Sequence, residues 1–139
     1  MSNPYNTDLD RNPANYQPLT PLTFLERAAS VFPNHTAIIH GSIRRNYDEF
    51  YRRSRQLASA LSNKGVGRGD TVSVMLANTP AMLESHYCVP MCGAVLHSIN
   101  TRLDATTIAY QLDHADSKVL IADREFLSTI RVALELSQI

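Results

Sequence analysis

The apolar positions of this chain switch repeatedly between helical spacing and the short β-prone runs of a strand, the signature of an α/β layered domain. The first helix is expected to open at Thr20 and Pro21, a hydroxyl cap followed by the residue whose fixed φ suits a first turn. It should run to about Phe32, where Pro33 stops it. Two β-prone runs follow, Thr36 to His40 and Ile43 to Tyr47, and the Gly41-Ser42 pair between them has the length that closes a hairpin. Asn46 and Glu49 then stand at capping-box spacing. Behind them Phe50, Leu57, Ala58 and Leu61 mark one helical face that ends at Lys64, with Gly65 as the C-terminal cap.

The second half alternates strand and helix. Thr71 to Ala77 is a continuous apolar run suited to a parallel strand covered on both faces. Pro80 opens a helix that reaches about Val89 or Met91, and Pro90 and Gly93 make its exit irregular. Ala94 to Ile99 is the next strand. Asp104 caps a helix whose Ala105, Ile108, Ala109 and Leu112 share a face, and Lys118 to Ala122 is the third strand. A last helix, capped by Asp123, carries Phe126, Leu127, Ile130 and Leu134 at helical spacing, with no Gly or Pro after it, so the end at Ile139 reads as cut rather than finished. Three successive strand and helix units predict parallel neighbours with right-handed crossovers. The expected architecture is therefore a layered, largely parallel sheet with flanking helices and an N-terminal hairpin. Ligands of such sheets gather beyond the carboxyl ends of the strands, here near Asn78, Asn100 to Arg102 and Asp123.

Charge narrows the function classes. Thirteen Lys and Arg balance thirteen Asp and Glu, so no net field concentrates phosphates, which argues against nucleic acid as a partner. The nearest basic cluster is Arg44, Arg45, Arg52, Arg53 and Arg55. Asp48 and Glu49 interrupt it, and it reads as a solvated helix face. Two cysteines cannot build the disulfide framework of a small secreted domain, so a reducing compartment fits. Residues 1–17 form a polar arm without the basic opening and apolar run of a secretory leader. The most apolar region, Thr71 to Ile99, is broken by Asn78, Pro80, Glu84, His86 and Pro90, so no membrane span is expected. The default is a cytoplasmic protein.

Each candidate for chemistry has a plainer reading. Gly65, Gly67 and Gly69 tempt a phosphate-loop assignment, but this loop follows a helix and opens a strand, the reverse of the order that aims a helix N-terminus at an anion. Cys88 and Cys92 share a helical face, with His86 and His97 nearby in sequence, yet the spacing matches no zinc site, and buried thiols on an apolar helix are the commoner case. Glu84 and His86 project about 200 degrees apart on a helix and make no acid and base pair. His86 is expected as a satisfied core or interface histidine, and His35, His40 and His114 as exposed ones. No serine, histidine and carboxylate set follows from the spacing. The residues themselves stop at an α/β domain without a self-contained active site.

Taken together, the segments from Pro18 to Asp123 resemble the N-terminal part of the adenylate-forming superfamily, which includes acyl-CoA synthetases, luciferases and peptide-synthetase adenylation domains. Arg45-Asn46-Tyr47-Asp48-Glu49-Phe50 is similar to the family's first core motif, with Asn46 and Phe50 as mild departures. Leu57-Ala58-Ser59-Ala60-Leu61 and the stretch from Gly65 to Val72 resemble its helix, turn and strand. Cys92 to Leu103, above all Asn100-Thr101-Arg102-Leu103, is similar to the second core motif in the form used by short- and medium-chain acyl-CoA synthetases.

The resemblance implies a reaction of a carboxylic acid with ATP and Mg²⁺ to give acyl-AMP and pyrophosphate, then thioester formation with CoA. That chemistry needs a Ser, Thr and Gly-rich loop with its Lys, a metal-binding Glu, a ribose-binding Asp and a mobile Lys. None of these motifs stands in this sequence, so no catalytic, cofactor-binding or metal residue carries over. On this reading residues 18–139 are part of an N-terminal AMP-binding domain that stops before the phosphate loop. Gly93 is expected to permit close packing, and Asn100 to Leu103 to shape the turn after a strand. The implied function is the N-terminal portion of an acid:CoA ligase for short- or medium-chain acids, inactive alone. The alternative is a non-catalytic homologue that binds a protein partner.

Overall fold

Local signals set where most of the elements begin, and the computed structural model describes residues 10, 12 and 16–138. Most of the polar arm expected at 1–17 lies outside these residues. Helix α1, Pro21–Val31, starts after an extended Thr20, but the Thr20 side chain makes no capping bond. The expected hydroxyl cap is absent; the Thr23 hydroxyl instead donates to the Thr20 carbonyl at 2.9 Å, which satisfies no first-turn N–H. Strands β1, Thr36–His40, and β2, Ile43–Asn46, pair as an antiparallel hairpin with His40 opposite Ile43.

The capping box forms in full: Glu49 N–H donates to Asn46 Oδ1 at 2.8 Å, and Asn46 N–H donates to the Glu49 carboxylate at 3.0 Å. Helix α2, Tyr47–Asn63, therefore starts at once, which is why Tyr47 is helical rather than the last strand residue. Gly65 follows with φ of 82°, the left-handed conformation of a helix end. The inner face of α2 is Phe50, Ser54, Ala58 and Leu61, with Leu57 only partly buried. Ser54 is tolerated inside because its hydroxyl donates to the Phe50 carbonyl at 2.9 Å.

Strands β3, Thr71–Met75, β4, Val95–Ser98, and β5, Ser117–Ala122, form a parallel sheet in the order β4-β3-β5. The central strand has covered faces. Val72 and Val74 pack with α2 and with α3, Pro80–Met91, whereas Met75 packs with α4, Ala105–His114, and α5, Leu127–Leu136. Burial on both faces explains why this strand reads as an uninterrupted apolar run. The hairpin packs separately, with Ile38 against Leu25 and Phe50.

Two expectations need correction. Gly93 has φ of 72°, and a Cβ there would meet Arg68 at 3.5 Å, an ordinary contact, so backbone conformation rather than close packing calls for glycine. Asp123 makes no side-chain cap, because a short 3₁₀ turn, Arg124–Phe126, intervenes before α5. That turn resets the helical phase. The buried seam of α5 is Ile130 and Ala133, while Leu127 and Leu134, expected inside, are 45% and 47% exposed.

Candidate functional site

The carboxyl ends of the three strands do come together, as Ile99 N–H donates to the Val74 carbonyl at 2.9 Å and Asp123 N–H to the Met75 carbonyl at 3.0 Å. Asn100 shapes the loop after β4 by accepting from Arg102 N–H at 3.0 Å. On the α3 side of this end, a cleft of about 600 Å³ opens between the hairpin and α3, lined by Ile38, Ile39, His40, Asn78, Leu83 and His86 among others. Its walls are apolar, imidazoles stand among its lining residues, and no carboxylate lines it. The volume suits a small molecule. His86 is exposed there with its ring Nδ1 2.9 Å from the Met82 carbonyl, so of the expected satisfied core or interface histidine the core position is corrected.

Sequence reasoning missed the role of Glu84. This carboxylate is buried on α3 and is held by Arg45 from β2 and by Arg53 from α2, the latter through Nε at 2.7 Å and a second nitrogen at 3.2 Å. Arg45 thus leaves the solvated basic face expected for it and is half-buried, whereas Arg53 stays exposed, as Arg44, Arg52 and Arg55 do, and reaches Glu84 from the solvent side. The bond to Glu84 raises the pKa of Arg53. A buried carboxylate paired with two guanidinium groups has its oxygens occupied, which makes it a tie between three elements. The available signal was a lone Glu on an otherwise apolar helix, which demands a cationic partner somewhere.

A serine and histidine pair, absent from the spacing, is created by strand register. Ser73 Oγ lies 2.7 Å from His97 Nδ1 and 2.5 Å from Ser117 Oγ, one residue from each strand. Ser73 is fully buried, so its hydroxyl is closed to a substrate carbonyl in this arrangement. Desolvation lowers the pKa of His97.

The glycine turn does not receive phosphate. Gly67 N–H already donates to the Asp70 carboxylate at 2.7 Å, and Lys118 binds both the Gly65 carbonyl at 2.7 Å and Asp70 at 3.0 Å. The anion at this nest is the protein's own side chain, and the Lys118 bond followed by the Gly67 amide lowers the Asp70 pKa. Cys88 is buried, and burial pushes its thiol up to about 12, so it is inert, while Cys92 is half-buried and bonds the Ala58 carbonyl at 3.2 Å. Among the described residues no three His, Cys, Asp or Glu side chains converge as a metal site. No helix among the described residues is long and apolar enough to cross a membrane.

A parallel sheet flanked by helices, with a packed hairpin before it and a cleft between hairpin and α3, defines an α/β domain and no more. The comparisons supply the class. The profile of the AMP-binding enzyme family matches residues 25–138, and the chain belongs to that family. An acetate-CoA ligase of Humulus lupulus is 49% identical over 129 residues, which are 93% of this chain and 23% of that protein. A peroxisomal acetate/butyrate-CoA ligase of Arabidopsis thaliana is 47% identical over 131 residues, 94% of this chain and 23% of the relative. A peroxisomal benzoate-CoA ligase of the same plant is 50% identical over 129 residues, 93% and 22% of the two chains. The chain thus spans under a quarter of the length of these curated relatives.

Solved structures agree on the fold. A benzoate CoA ligase from Burkholderia xenovorans superposes with a TM-score of 0.78 at 26% identity, covering 82% of this chain and 23% of that one. The N-terminal domain of FACL13 from Mycobacterium tuberculosis gives 0.78 at 27% identity, covering 84% and 30%. The layered α/β architecture expected from the sequence is that of the N-terminal domains of adenylate-forming CoA ligases.

Proposed function

We propose that this chain is the N-terminal portion of an AMP-forming acid:CoA ligase that acts on short- or medium-chain carboxylic acids, with residues 18–139 forming part of its AMP-binding domain. The observation that carries the reading is near-half identity, across almost the whole chain, to ligases named for acetate, butyrate and benzoate. In the intact enzyme ATP, Mg²⁺ and CoA are the co-reactants, and adenylation turns a carboxylate into a group that a thiol can attack. This chain supplies a wall of that domain and no reacting group, so it is inactive alone. Its compartment is the cytoplasm on the sequence reading, while the relatives named peroxisomal supply the rival placement.

The test joins this chain to the remaining length of the Humulus acetate-CoA ligase in place of the matched segment. Acid-dependent exchange of pyrophosphate into ATP, with acetate, butyrate, hexanoate and benzoate, reads the first half-reaction. Exchange by the joined protein and none by the 139-residue chain is the expected result. A soluble, folded joined protein without exchange would overturn the assignment, and exchange by the chain alone would overturn its inactivity.

A further inference from the structure

The hairpin and helix α3 wall the cleft from two sides and are tied to each other. Arg45 stands opposite Ile38 in the hairpin register and binds Glu84 of α3, and the Tyr87 ring meets Phe50 edge-on at 5.0 Å between centroids. The walls are therefore set by the fold before anything binds. Ile39 and Leu83, one on each wall, nevertheless remain 67% and 40% exposed, so apolar surface of this cleft is left in water.

Two properties of the lining identify what fits. Among the described residues no Lys, Arg, Asp or Glu lines the cleft, so an ion of either sign would leave water there without a counter-charge. Glu84, the one carboxylate of α3, is not part of the lining and is paired with two guanidinium groups. Helix α3 opens on Pro80, which has no N–H to offer an anion. The second property is the state of His86. Its Nδ1 stands 2.9 Å from the Met82 carbonyl, and a carbonyl only accepts, so Nδ1 carries the hydrogen. In the neutral ring Nε2 is then an acceptor, and it has no partner among the described residues.

We propose that the cleft is a binding site for a neutral, largely apolar alcohol or phenol, whose hydroxyl donates to His86 Nε2 while its hydrocarbon part covers Ile39 and Leu83. An amine of the same shape would carry a charge at neutral pH, and an amide would bring a carbonyl that needs a donor of its own. A hydroxyl satisfies the free nitrogen with one group and leaves the rest of the molecule apolar, as the walls require. The ligand differs in class from the acids of the proposed ligase reaction, so the site stands independently of that reading.

NMR titration of the ¹⁵N-labelled 139-residue chain with 4-propylphenol, and with its methyl ether, which lacks the donor, reads the site at about pH 8, where an imidazole is neutral. The phenol should shift the amides of Ile39 and Leu83 and bind about three- to tenfold more tightly than the ether, the worth of one hydrogen bond. His86→Phe keeps a ring on the exposed wall and removes the acceptor, so the two dissociation constants should converge. Equal constants in the parent, a preference that survives in His86→Phe, tighter binding of 4-propylbenzoate, or no binding overturns the proposal. Shifts of the same amides that grow with protein concentration in the absence of ligand would assign the cleft to a second copy of the chain. Loss of phenol binding in the folded joined protein would assign it to the rest of the polypeptide, and either result overturns the site.

Discussion

Glu84 is the residue on which three elements depend, and its energetics are asymmetric. Removing both guanidinium partners in Arg45→Met with Arg53→Met leaves a buried carboxylate unpaired, at a cost of about 3 kcal/mol or more in urea unfolding. Glu84→Gln should cost less, about 1–2 kcal/mol, because Arg53 is 45% exposed at its side chain and returns to water. An equal cost for the two would show that the carboxylate is not the buried member. The thiols separate in the same way. Cys88, with its thiol near 12, should escape a disulfide reagent at mildly alkaline pH while Cys92 reacts, giving one equivalent in the folded chain and two after denaturation. The buried Cys88 was readable from its apolar helix, but the Glu84 tie was hidden, because Arg45 and Arg53 stand 39 and 31 residues from Glu84 and only packing brings them to it.

At the level of elements, caps and backbone conformation were the legible part. The Asn46 and Glu49 pair and the Asp104 cap, which accepts from Thr107 N–H at 3.0 Å, sit where their spacing placed them. Asn46→Ala should therefore cost about 1 kcal/mol. Gly93→Ala, forced into φ of 72°, should cost about 1–2 kcal/mol although its methyl group fits, and thermal melts of the two variants check both figures. The illegible part was phase. A three-residue 3₁₀ turn before α5 rotated its buried seam away from Leu127 and Leu134, and propensity does not announce such a turn. Asp116, at φ of 48° with no glycine to mark it, is a second example. The Ser73 and His97 pair was equally invisible, because it depends on parallel register and not on any separation along the chain.

For the whole molecule, the α/β class and the parallel sheet were readable because strand and helix periods alternate, but the strand order β4-β3-β5 is a product of assembly. Both outer strands lack a neighbouring strand among the described residues, and α5 exposes Leu127, Val132, Leu134 and Leu136. The chain alone should associate as its concentration rises, seen as a growing hydrodynamic radius by light scattering. Leu134→Lys with Val132→Lys should reduce that growth, and a concentration-independent monomer in the parent would contradict it. The central place of β3 has one more consequence, for synthesis on the ribosome. The strand emerges first of the three, yet its second neighbour begins only at Ser117, after β4 and α4 have been made. The hairpin and α2 can settle on α1 while β3 still waits, so the nascent chain carries one half-covered strand through much of its translation. A ribosome pause placed between β4 and β5 would lengthen that exposure, and chaperone capture should peak there.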